Sequence, residues 1–135
     1  MPQGRVLVID DQPEVRRSVS LILTRSGYEV VEAEDGAEGI EAIRSGDNPL
    51  MVDAIICDLL MPNINGMEAI RYFRLQFPTV PVIVLTGHPE LERMNWFYAH
   101  GIFQYLLKPV CADVLLDSVE RAVEGHELFK DQFVA

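Results

Sequence analysis

The run Ala54-Ile55-Ile56-Cys57 stops at a single carboxylate, Asp58, and Pro62 and Gly66 break the chain soon after. Four consecutive apolar residues without alternation describe a strand buried on both faces, with Asp58 at its C-terminal end and a loop beyond. An Asp there has an ordinary explanation, because strand ends reach solvent and Asp forms turns. Yet every other unusual feature of the chain can be placed around it.

The same pattern recurs along the sequence. Arg5-Val6-Leu7-Val8-Ile9 runs into Asp10-Asp11, Tyr28 to Ala33 precedes the turn Asp35-Gly36, Val80 to Leu85 ends at Thr86-Gly87, and Ile102 to Leu107 ends at Lys108-Pro109. Helical spacing fills the intervals. Pro13 opens a helix with Val15, Val19 and Ile22 on one face. Ala37, Ile40 and Ile43 mark a second helix, closed by Gly46, and Met67, Ile70, Phe73 and Phe77 a third, bounded by Pro78. Pro89 opens a fourth that stops at Gly101, and Leu115, Val119, Ala122 and Val123 line a fifth that frays near Gly125. Asp47 to Asp53, with Pro49, is expected to be a loop. Five strands alternating with five helices predict an α/β fold, a doubly wound parallel sheet with helices on both faces. In such sheets ligands bind beyond the C-terminal strand ends. Asp10, Asp11, Asp58, Thr86 and Lys108 all lie at such ends, on four separate strands.

With 135 residues the chain is expected to be one domain over residues 1–125, and 126–135 to be a helix end or the start of a linker. A net charge of −10 argues against direct nucleic-acid binding and against an anionic membrane surface. No apolar run reaches membrane-spanning length and no signal-peptide layout opens the chain. Cys57 falls inside a strand and Cys111 follows Lys108-Pro109, without metal or disulfide spacing, which suggests reduced thiols and a cytoplasmic setting.

Three carboxylates at one rim repel each other unless some are protonated or a cation neutralises them. Oxygen ligands without His or Cys suit Mg²⁺, with Mn²⁺ as a substitute. Lys108 adds a mobile charge and Thr86 a hydroxyl donor for phosphoryl oxygens. Together these groups make a site for moving a phosphoryl group, with Asp58 the natural acceptor as an acyl phosphate.

Taken in order and spacing, Asp10-Asp11, Asp58 with Met61-Pro62 and Gly66, Thr86-Gly87 and Lys108-Pro109 resemble the receiver domains of bacterial two-component response regulators. The resemblance runs from about Arg5 to Val123. It implies the flavodoxin-like strand order 2-1-3-4-5, with strands 1 and 3 adjacent. It further implies that Asp58 accepts a phosphoryl group from a sensor histidine kinase or phosphotransfer protein. Mg²⁺ would be held by Asp11, Asp58 and the backbone carbonyl of Leu60, with Asp10 assisting. Lys108 and Thr86 would contact the phosphoryl oxygens, and Thr86 and the switch aromatic Tyr105 would move together. That motion would repack the face of helix 4, strand 5 and helix 5, where an output domain, a downstream protein or a second copy of the chain docks.

Several residues stand apart from that set. Leu60 and His88 flank the site and should affect how fast phospho-Asp58 hydrolyses; His88 is otherwise a plain loop residue. His100 is expected to complement a helix C-terminus, and His126 has no evident partner. On the phase set by Leu91 and Tyr98, Asn95 points inward and Trp96 outward, which would make Trp96 a partner or dimer anchor; a rotated helix would bury it instead. Two other functions compete with the switch. A Mg²⁺-dependent aspartyl-phosphate phosphohydrolase is disfavoured because Asp58-Leu59-Leu60 lacks a second acid, so no separate substrate turnover is expected. A degenerate receiver acting as a phosphorylation-independent binding module is disfavoured because all five site residues are present.

Overall fold

A computed structural model describes residues 3–59, 66–87 and 91–133. Among them, strands β1 (Arg5–Ile9), β2 (Glu29–Ala33), β3 (Val52–Cys57), β4 (Val82–Thr86) and β5 (Gln104–Leu107) form one parallel sheet in the order β2-β1-β3-β4-β5. Helices α1 (Pro13–Arg25), α2 (Gly36–Arg44), α3 (Asn48–Met51), α4 (Gly66–Gln76), α5 (Leu91–Ala99) and α6 (Ala112–Phe133) complete the fold.

Burial on both faces explains the unbroken apolar strands. Successive side chains point to opposite faces, so Val6, Val8, Ala54, Ile56, Ile83 and Leu85 pack with Val19, Leu23, Leu115, Val119 and Val123 of α1 and α6. Their neighbours Leu7, Ile9, Ile55, Cys57, Val82 and Val84 pack with Ile43, Ile70, Phe73 and Phe97 of α2, α4 and α5. Gly27 and Gly101 adopt φ of +95° and +88° just past α1 and α5, the left-handed conformation that ends a helix without strain on a side chain.

Three expectations need correcting. The segment from Asp47 to Asp53 is not a loop: Asn48–Met51 makes one helical turn and β3 begins at Val52. The β1–β3 register also slips there, since Arg5 pairs with Val52 but Val6 with Ala54. Asp53 is thus the extra residue of a β-bulge, which turns its carboxylate to the α6 side along with Ala54. Next, α6 does not fray at Gly125 but continues to Phe133. There Asp53 supplies the partner that His126 was expected to lack: Asp53 Oδ1 lies 2.9 Å from His126 Nδ1 and 2.9 Å from Lys130 Nζ.

The third correction concerns α5. Phe97 is fully buried, Asn95 is exposed and Trp96 is half-buried. The Trp96 indole stacks on His100 at 3.9 Å between centroids, and the Arg71 guanidinium lies 5.4 Å from its ring. Tyr98, at 43% exposure, is the outward aromatic. His100 does close its helix, through a 2.7 Å contact between Nδ1 and the Trp96 carbonyl. Pro89, expected to open α5, lies outside the described residues.

Candidate functional site

Strands β1 and β3 are neighbours, and each ends in a carboxylate at the same edge. Asp10 and Asp58 are 3% and 5% exposed, and Asp11 is partly exposed. Carboxylate oxygens of all three lie within 4.8 Å of one another. Asp58 N–H donates to the Ile9 carbonyl at 3.0 Å, which continues the β1–β3 ladder into the site. The close approach of α4 depends on Gly66. Its N–H donates to the Leu59 carbonyl at 3.0 Å, and a Cβ there would stand 2.5 Å from Leu59 Cα.

Lys108 reaches the carboxylates from the end of β5. Its Nζ lies 2.8 Å from Asp10 Oδ2, 3.2 Å from Asp58 Oδ2 and 2.9 Å from Gln12 Oε1. The Lys108 N–H donates to the Thr86 carbonyl at 2.8 Å, tying the ends of β4 and β5 together. Thr86 is fully buried and Lys108-Pro109 is a cis peptide. Tyr105, expected to turn inward in the switched state, is buried here at 5% exposure beside Phe97.

Burial raises the Asp58 carboxyl above its ordinary value, and the Asp10 charge pushes it further; Lys108 and the Leu59 N–H oppose this without cancelling it. Burial likewise pushes the Cys57 thiol well up, as expected of a core residue rather than a nucleophile. Cys111 is exposed.

A cleft of about 620 Å³ opens over Asp58 and Lys108 and continues between α1 and the Pro109-Val110 segment, with Val15 and Ile22 on its wall. The oxygen-only donor set of Asp10, Asp11 and Asp58 fits a hard divalent cation such as Mg²⁺. Leu60, expected to add a backbone carbonyl, and His88 lie outside the described residues, as does Met61-Pro62.

Two participants were not anticipated. Arg16 donates from Nη1 to the Asp10 carbonyl at 2.7 Å and from Nε to Glu32 at 3.2 Å, fixing the backbone under the acidic pair. Gln12 contacts both Lys108 and, through its N–H at 2.9 Å, Asp10 Oδ1. Neither carried a local sequence signal for these contacts: Arg16 is 6 residues from Asp10 and Gln12 is 96 from Lys108.

Comparisons with known proteins bear on the family and the fold. Residues 6–120 match the sequence family described as response regulator receiver domain. The chain is 36% identical over 121 residues to transcriptional regulatory protein GlrR of Escherichia coli (strain K12), covering 90% of this chain and 26% of GlrR. It is 30% identical over 124 residues to protein PilH of Pseudomonas aeruginosa, covering 90% of this chain and 99% of PilH. A response regulator receiver domain protein from Clostridium thermocellum matches in structure with a TM-score of 0.86 at 32% identity, covering 93% of this chain and 98% of that one. The chain thus spans nearly all of PilH but only 26% of GlrR, and 17% of the Vibrio cholerae sensor kinase/phosphatase CqsS. With a family match over most of its length and a fold to go with it, the chain belongs to the receiver domains of two-component response regulators.

Proposed function

We propose that the chain is a phosphorylation-controlled switch whose acceptor is Asp58. The observation that carries this reading is the raised, buried Asp58 carboxylate, held with two other carboxylates and a lysine at the open edge of the sheet. An Asp58 oxygen attacks the phosphorus of a phosphohistidine on a sensor kinase or phosphotransfer protein. The P–N bond breaks, the imidazole leaves, and an acyl phosphate remains. Asp10, Asp11 and Asp58 would hold Mg²⁺, which supplies charge neutralisation for the entering phosphoryl oxygens. Lys108 contributes a positive charge to the same oxygens, and Thr86 a hydroxyl. Separate substrate turnover is not part of this reading.

Output follows from packing. The added charge at Asp58 biases Thr86 and Tyr105 between two arrangements, and that bias alters the face of α5, β5 and α6. Tyr98 and Leu107 are exposed there, at 43% and 46%, on and beside an edge strand. This is the face offered to an output domain, a downstream protein or a second copy.

Intact-mass measurement with acetyl phosphate and Mg²⁺, on the native chain and Asp58→Asn, tests the proposal. A phosphoryl adduct that requires both Mg²⁺ and Asp58 is expected. Its absence from a folded, Mg²⁺-binding native chain would favour the phosphorylation-independent binding module.

A further inference from the structure

Gln12 occupies the N-cap of α1, where Ser, Thr, Asp or Asn would bond a free helix N–H, yet its side chain makes no capping bond. It reaches instead to Lys108, 96 residues away in sequence, and accepts from Nζ at 2.9 Å. The ammonium has three donors, and it faces three oxygens: Asp10 Oδ2, Asp58 Oδ2 and Gln12 Oε1. Two of these are charged and lie inside the acidic cluster. The third is neutral and lies on the exposed side, lining the cleft that leads to Asp58.

We infer that Gln12 is a positioning residue: it adds a neutral third acceptor on the cleft side of an ammonium that already contacts Asp10 and Asp58, and so fixes where that ammonium stands relative to the mouth of the site. A lysine side chain is a point charge on a four-carbon stem, so its location is set by whatever it bonds. A neutral acceptor suits the task because it holds the ammonium without competing with an incoming anion for its charge. Its consequence for phosphorylation rests on the phosphoacceptor reading of Asp58; the contact itself does not.

Three variants separate positioning from structure. Gln12→Met keeps length and removes the acceptor. Gln12→Ser removes the reach but supplies the missing helix cap, so its thermal midpoint should rise. Gln12→Glu keeps an acceptor at the same reach. In the unmodified protein, ¹⁵N-edited NMR of the lysine ammonium should show a Lys108 signal protected from exchange in the native chain and Gln12→Glu, and measurably less protected and shifted in Gln12→Met and Gln12→Ser, where only the two carboxylates remain as acceptors. With acetyl phosphate at saturating Mg²⁺, the maximal phosphorylation rate of both the Met and Ser variants should fall by about threefold to tenfold. A merely structural Gln12 predicts instead that Ser matches or exceeds the native rate. An ammonium signal unchanged in Gln12→Met, or a native rate in Gln12→Ser, overturns the inference. If the native chain takes no phosphoryl group, the Asp58 reading falls and the ammonium signal alone decides the role of Gln12.

Discussion

Asp53 and Asp58 stand near opposite ends of the same central strand, each 5% exposed and each beside a lysine. Asp53, at the β3 bulge, has Lys130 at 2.9 Å, His126 at 2.9 Å and the Arg5 N–H at 3.3 Å. Burial works to raise its carboxyl, but the bonds from His126 and Lys130 outweigh it and leave the group below its ordinary value. Asp58 has Lys108 at 3.2 Å and the Leu59 N–H at 2.8 Å, but also the negative charge of Asp10 across the site. Burial therefore prevails and its carboxyl is raised. Among the described residues, one strand thus carries one acid whose donors outweigh its burial and one whose donors do not. A buried carboxylate that holds the fold together collects donors until its charge is compensated. One held ready for chemistry keeps a face uncompensated, and the rest of the molecule must tolerate it.

The comparison predicts opposite signs for the same operation. Asp53→Ala leaves His126 and Lys130 without their acceptor. Breaking a buried ion pair costs about 3–5 kcal/mol, and the 38% exposure of the Lys130 side chain discounts this to about 2–3 kcal/mol. Asp58→Asn removes an ill-compensated buried charge while Lys108 keeps Asp10 and Gln12, so it should stabilise by about 1 kcal/mol. Urea unfolding at neutral pH measures both. If both variants destabilise alike, the two acids are not in contrasting environments.

A smaller effect appears in the pH dependence. The depressed carboxyl of Asp53 contributes stability above its unfolded value of about 3.9, and loses it as pH falls through the lower folded value. The raised carboxyl of Asp58 acts with the opposite sign. It costs nothing below about 3.9 and destabilises increasingly as pH climbs through its higher folded value. The stabilisation by Asp58→Asn should therefore fade as pH drops from 7 towards about 3.5, while the penalty of Asp53→Asn fades only at still lower pH. Unfolding curves collected across this range test the order of the two.

How far these features were legible in the sequence follows from how local they are. The sheet and its order could be anticipated because unbroken apolar runs ending in Asp, Thr or Lys carry their meaning within a few residues. Asp10, Asp58 and Lys108 stood out for the same reason. Asp53 did not, because a bulge reverses the facing of a side chain and depends on the register between two strands. His126 continues the stripe of Leu115, Val119 and Ala122, and Lys130 lies one turn further on the same face. That pattern called for an acidic partner, but the partner is 73 residues away. The phase of α5 was set from Leu91 and Tyr98, whereas Phe97 is buried and Tyr98 exposed. Three adjacent aromatics, Trp96, Phe97 and Tyr98, leave periodicity unable to choose among them. Gln12 was invisible because a glutamine at a helix N-cap has no local role that would flag a contact with Lys108.

Gly125 offers the smallest and most discriminating test of the Asp53 end. A glycine inside a helix costs about 0.5–1 kcal/mol relative to alanine, and it suggested that α6 would fray there. The helix nonetheless continues, with His126 and Lys130 anchored on Asp53 just beyond the weak point. Among the described residues, nothing beyond the helix's own adjacent backbone lies within 4 Å of where a Gly125 Cβ would project, so Gly125→Ala should stabilise by about 0.5–1 kcal/mol. The more telling measurement is native-state hydrogen exchange of the amides from His126 to Lys130. Their protection should drop in Asp53→Ala, because the segment beyond the weak residue then loses the contacts that His126 and Lys130 make with Asp53. Adding Gly125→Ala to that variant should restore part of the protection, since helix continuity then substitutes for the anchor. Protection unchanged in Asp53→Ala would mean that the Asp53 contacts do not hold the segment. The contrast between the two carboxylates would then reduce to Asp58.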